Sequence, residues 1–83
     1  MRYHATILIE LKEGILDPQG RAVEGVLQGQ GFAVQDVRVG RVLEMTLEAP
    51  DAQSAQAQAQ AIGNALANPV MEVFVVESLK EQP

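Results

Sequence analysis

The clearest alternation in the chain runs from Tyr3 to Lys12. Tyr3, Ala5, Ile7, Ile9 and Leu11 fall on one side, Arg2, His4, Thr6, Glu10 and Lys12 on the other, and Leu8 is the one apolar residue among the polar positions. A period of two is that of a strand with one face in the core. The next stretch, "GILDPQGRAV" from Gly14 to Val23, changes period. Asp17 can accept from free amides at a helix start, and Pro18 suits the first helical position, where no donor is required. Ala22, Val23, Val26 and Leu27 then share one helical face. Gly31 is placed to take a left-handed cap with Phe32 folding back on Leu27, so a helix is expected from Pro18 to Gln30.

The segment "VQDVRVGRVLEMTLEA" reads as two strands around Gly40. A loop of Gly40 to Val42 would pair Val39 with Leu43 and Val37 with Met45, keeping the apolar residues of both strands on one side. "PDAQSAQAQAQAIGNALANP" also alternates, but Ala and Gln favour helix and β-branched residues are nearly absent. A helix is expected from Pro50 or Asp51 to Asn68, with Ala52, Ala55, Ala59, Ile62 and Leu66 inward. "VMEVFVVESL" is a final strand, apolar at nearly every position, and the polar tail from residue 80 to 83 is expected to fray.

The order strand, helix, strand, strand, helix, strand predicts an α+β ferredoxin-like two-layer sandwich (βαββαβ), a single domain over residues 1–79 with both helices on one face of an antiparallel sheet. Such a sheet has a bare face. Leu8 and one side of the last strand, either Met71, Val73 and Val75 or Val70, Phe74 and Val76, would meet water there, and a patch of this kind marks an interface. A homo-oligomer built on that face is expected.

Composition narrows the chemistry. The chain has 83 residues, 47% of them hydrophobic, and a net charge of −5. That is a globular make-up whose acidity disfavours nucleic acid and anionic membrane as partners. It has no cysteine, which removes disulfides, thiolate metal sites and a cysteine nucleophile, and a cytoplasmic home is expected. The amino-terminal stretch lacks the apolar run of a secretory signal, and nothing approaches a membrane span.

Candidate chemistry is sparse. His4 is the only histidine and has no partner at ligand spacing, and Ser54 and Ser78 have no recognisable base. Arg38 and Arg41 bracket Gly40 and could converge on a carboxylate or other anion, or simply lie in water. The helix start at Asp17 could hold an anion, but the aspartate already occupies the cap and would repel one. Gly20 stands out, since a glycine in a first helical turn costs about 1 kcal/mol against alanine. The close approach of another backbone or subunit would account for it.

Three stretches together carry a resemblance: "LKEGILDPQGRAV" from Leu11 to Val23, "DVRVGR" from Asp36 to Arg41, and "LANPVMEVF" from Leu66 to Phe74. They are similar to the PurS family, the small subunit of phosphoribosylformylglycinamidine synthase in purine biosynthesis. The resemblance covers nearly the whole chain and implies a non-catalytic assembly subunit with no cofactor of its own. It would bridge a large synthetase subunit (PurL), which uses ATP and Mg, and a glutaminase subunit (PurQ), which releases ammonia from glutamine. The matching blocks make Gln19, Gly20, Arg21, Arg38, Arg41, Asn68 and Glu72 candidates for partner docking. Val42, where the family commonly has an aromatic, and Val73, where it commonly has an acidic residue, depart from its pattern. Two other readings share the element order: an amino-acid-sensing dimeric module of the ACT type, and an acylphosphatase-like enzyme, for which no arginine-bearing phosphate loop follows the first strand.

Overall fold

A computed structural model describes every residue from Met1 to Pro83. The chain folds as β1 (Arg2–Leu11), α1 (Pro18–Gly29), β2 (Arg41–Glu48), α2 (Ala52–Leu66) and β3 (Glu72–Gln82). The three strands form one antiparallel sheet in the order β2-β1-β3. Tyr3, Ala5, Ile7 and Ile9 are buried at the sheet centre, as the period-two pattern predicts. Ile7 pairs with Leu43 on one side and with Val76 on the other, so the core face is built from all three strands.

One helix covers that face. Ala55, Ala59 and Gly63 are the buried residues of α2, and Ala59 joins Ile7, Ile9 and Leu47 in the main core cluster. Small residues allow the helix to lie close to the sheet. At Gly63 the approach is extreme, because a Cβ would stand 2.2 Å from the Phe74 ring. Two members of the expected inner stripe, Ala52 and Leu66, point outward instead, and Gly63 takes the place assigned to the larger residue.

The fold departs from the ferredoxin-like expectation in two linked ways. Residues 34–40 form no strand, so the hairpin around Gly40 is absent and β2 pairs with β1 rather than with Val37 and Val39. In addition, α1 packs against neither the sheet nor α2. The reason lies in where the backbone amides of residues 34–40 are satisfied. The Asp17 carboxylate accepts from Val39 N at 2.8 Å, Glu24 Oε1 accepts from Val37 N at 3.1 Å, and Gln28 Nε2 donates to Val34 O at 2.9 Å. The cap of α1 and two side chains along it thus hold the returning chain at the helix side, where a sheet ladder would otherwise hold it. Helix and returning chain make an arm from Gly14 to Gly40, projecting from the end of the sheet. The molecule is accordingly extended, with a radius of gyration of 16.2 Å, against about 12 Å for a compact chain of this length.

Both ends of α1 follow local chemistry. Asp17 caps the start by accepting from Gly20 N at 2.9 Å, with Pro18 at the first position. At the other end Gly31 has φ of 95°, Phe32 N donates to Leu27 O at 3.0 Å and Gly31 N to Gln28 O at 3.0 Å, the two bonds of a Schellman ending. The polar residues Lys80 to Gln82, expected to fray, instead continue β3 and pair with His4, Tyr3 and Arg2. A register shift between Thr6 and Ile7 leaves Glu77 without a partner, so β3 carries a bulge at that point.

Candidate docking surface

The face of the sheet away from α2 is uncovered. Register places Leu8 between Val42 and Val75 on this face, with Glu10 opposite Val73. Val42, Val73 and Val75 are 60%, 42% and 48% exposed. The structure therefore chooses between the two expected sides of the last strand: Val73 and Val75 lie on the bare face, whereas Phe74 and Val76 are packed against the core. Val70 and Met71 are exposed in the turn that precedes β3. The other end of the same face is polar, with Arg2 facing Glu48 at 3.8 Å and His4 Nε2 at 3.3 Å from Glu44 Oε1. The patch is thus apolar at the end where the arm is rooted and charged at the far end.

The residues singled out by the three sequence blocks gather at that same end, and most of them turn out to hold it together. Arg41, the first residue of β2, donates to both Glu72 oxygens, at 2.8 and 3.4 Å, and to Leu66 O at 3.3 Å. Glu72 in turn accepts from Asn68 N at 2.8 Å, and Asn68 caps its own turn by accepting from Val70 N through Oδ1 at 3.0 Å. One ion pair therefore ties the start of β2, the end of α2 and the start of β3. The Arg41 guanidinium, and after it the Asn68 amide, hold the Glu72 carboxyl below its ordinary range, while Glu72 pushes Arg41 further up. Lys12 closes the corner through Nζ to Pro69 O at 2.8 Å.

Arg38 and Arg41 do not converge on a common anion. Arg38 reaches back to the carbonyl oxygens of Leu11 and Lys12, fastening the returning chain to the end of β1. Gly20 also differs from its reading as an outward docking surface: it is buried, and a Cβ there would lie 2.2 Å from Val37 O. The close approach that its glycine implied is made by the chain's own backbone. The Val39 and Gly20 amides, in that order, draw the Asp17 carboxyl below its ordinary range. Of the seven docking candidates, Gln19 and Arg21 are the two exposed residues whose side chains lie outside these networks. The open groove between arm and sheet, about 920 Å³, is lined by Arg21, Ile15, Leu16, Asp36 and Val73 among others.

Comparison with known proteins assigns this architecture. Residues 4–80 match the family described as PurS, phosphoribosylformylglycinamidine (FGAM) synthase. The chain belongs to the PurS family. The Bacillus subtilis PurS subunit of that synthase is 37% identical over 90% of either chain, and the Synechocystis subunit is 42% identical over 90% of this chain and 77% of its own. The structure of Thermus thermophilus PurS superposes over the full length of both chains with a TM-score of 0.95 and 60% identity. A structure of PurLQS from Thermotoga maritima contains a chain of the same fold, with a TM-score of 0.78 and 24% identity over 99% of each chain. Membership of this family makes the chain a subunit of phosphoribosylformylglycinamidine synthase in purine biosynthesis and decides against the amino-acid-sensing and acylphosphatase readings. Each of the three sequence blocks supplies a structural fastening in this chain: the Asp17 cap, the Arg38 clasp and the Glu72 ion pair.

Proposed function

We propose that this PurS-family chain is the non-catalytic bridge of its synthase, associating with itself and joining the large synthetase subunit PurL to the glutaminase subunit PurQ. ATP, Mg and glutamine are used by those partners, and this chain binds none of them. The observation that carries the reading is the division of the surface. Asp17, Arg38, Arg41 and Glu72 are engaged in fastening the arm and the end of the sheet, while the apolar residues Val42, Val73 and Val75 beside the half-buried Leu8 are left to solvent. Docking needs a rigid frame with uncovered apolar area, and this chain has both. The PurLQS assembly of Thermotoga maritima, which holds a chain of the same fold, supports the choice of partners.

The test is glutamine-dependent formation of the amidine by PurL and PurQ with and without this chain. Dependence on its addition is the expected result, and unchanged activity would overturn the bridging role. Self-association is read separately by light scattering, where a mass of one chain at micromolar concentration would remove that part of the proposal.

A further inference from the structure

The arm is braced within itself and tied to the sheet at few points. Asp17 accepts from Val39 N, Glu24 accepts from Val37 N, Gln28 donates to Val34 O, and the Schellman bonds close the far end. Between arm and sheet, by contrast, α1 makes no packing contact, and the groove of about 920 Å³ leaves the space beside it open. A segment bonded in this way moves as one body, and the motion is taken up at the few residues that join it to its neighbour.

Those residues lie at the two chain crossings of the arm root. The outgoing crossing contains Gly14, which has φ of 85° and nothing within 4 Å of the place a Cβ would occupy. Without a side chain it can leave that conformation for others at little cost. The returning crossing contains Gly40, which runs so close to β1 that a Cβ would stand 2.8 Å from Ile9 O. Immediately after it the chain is fixed again, because Arg41 is held by Glu72. Apart from the turn bond from Ile15 N to Lys12 O, the hydrogen bonds that span arm and sheet both come from Arg38, whose Nη2 donates to Leu11 O and Lys12 O at the end of β1.

We infer that the arm is a rigid lever that turns about Gly14 and Gly40, and that the Arg38 guanidinium is the latch that sets its angle. The 12 residues of α1 make a helix about 18 Å long, so a rotation of about 10° at the root carries its far end by roughly 3 Å. The lever stands on the bonding of this chain alone. Its consequence rests on the bridging role proposed above: rotation changes the angle between Gln19 and Arg21 on the arm and the apolar face of the sheet, and with it the relative placement of whatever each surface holds.

The absence of cysteine makes the test direct. Gln30 at the tip of the arm and Gln60 on α2 are exposed, and the pair Gln30→Cys and Gln60→Cys accepts two nitroxide labels. Pulsed electron paramagnetic resonance then gives the distance between them with Arg38 present and with Arg38→Gln, the labelled chains being diluted into unlabelled ones so that only distances within a chain are read. With Arg38 present, one narrow distribution is expected. In Arg38→Gln the mean is expected to move by several ångströms or the width to at least double, while the Val37 and Val39 amides keep their protection from hydrogen exchange. An unchanged distribution would overturn the latch. A changed distribution accompanied by lost protection at those two amides would overturn the lever, because the arm would then have melted rather than turned. Neither PurL nor PurQ enters these measurements, so failure of the lever and failure of the bridging role are read separately.

Discussion

The Asp17 carboxylate joins two amides that are far apart in the chain, accepting from Gly20 N at 2.9 Å within its own helix and from Val39 N at 2.8 Å across 22 residues. A capping residue that satisfies only its own helix would leave the returning chain free to pair elsewhere. This one fixes both at once, so the cap is also the fastening of the arm.

The charge on Asp17 makes that fastening pH-dependent. Because both amides favour the ionised form, the folded-state pKa lies below the unfolded one. The stabilisation is present above the unfolded pKa and is lost as pH falls, from about pH 5 downward through the folded value. Thermal unfolding followed from neutral pH to about pH 3 is expected to show a decline. Asp17→Asn should be less stable at neutral pH and have a shallower acid slope. Some slope should persist, because Asp51, held down by the Ser54 amide, and Glu72 titrate in the same direction.

Gly20→Ala tests the contact between helix and returning chain, together with the Asp17 carboxylate, whose Oδ2 the added Cβ would meet at 2.8 Å. The added Cβ would meet Val37 O at 2.2 Å, and a backbone carbonyl can withdraw only by moving the segment that carries it. The expected outcome is faster hydrogen exchange at the Val37 and Val39 amides, with protection in β1 unchanged. Unchanged exchange at both amides would show that the contact does not hold the arm.

Gly63→Ala examines the other tight approach. The new methyl would stand 2.2 Å from the Phe74 ring, in a helix face that lies directly on the sheet. Overpacking of this kind costs about 1–3 kcal/mol, more than the roughly 1 kcal/mol that alanine gains over glycine in a helix interior. A net fall in Tm is therefore expected, by several degrees in a domain of this size, measured by calorimetry or circular dichroism.

The elements that were legible in the sequence are those whose cause is local. Asp17, Pro18, Gly31 and Phe32 mark the ends of α1 because caps are made within a few residues of themselves. The alternation of Val37 and Val39 is also real, since both are half-buried between exposed neighbours. Period two does not say what satisfies the amides, however, and Glu24 and Asp17 take them where a strand was expected. The pairing of Arg41 with Glu72 spans 31 residues, so their roles at the sheet end could not be read from spacing. Helical spacing puts Leu66 on the inner stripe, whereas the Phe74 ring leaves room only for Gly63 at the sheet. The bare sheet face was legible because an apolar Leu8 interrupts a polar row, but the side of β3 that completes it depended on a register which only the fold supplies.

That face gives a final prediction. Val75 is exposed in one copy and sits beside Leu8 in the middle of the apolar patch, so Val75→Lys costs the isolated chain little. Placed between two copies, the same ammonium would be buried without a partner, which is strongly unfavourable. If folded chains associate while unfolded chains do not, the unaltered protein gains stability by mass action, and its Tm rises with protein concentration. The variant is expected to unfold at a Tm independent of concentration and near the value the unaltered protein approaches on dilution. It should also form less synthase activity when added to PurL and PurQ in limiting amounts. A Tm of the unaltered chain that does not move with concentration would place Val75 outside any interface between copies.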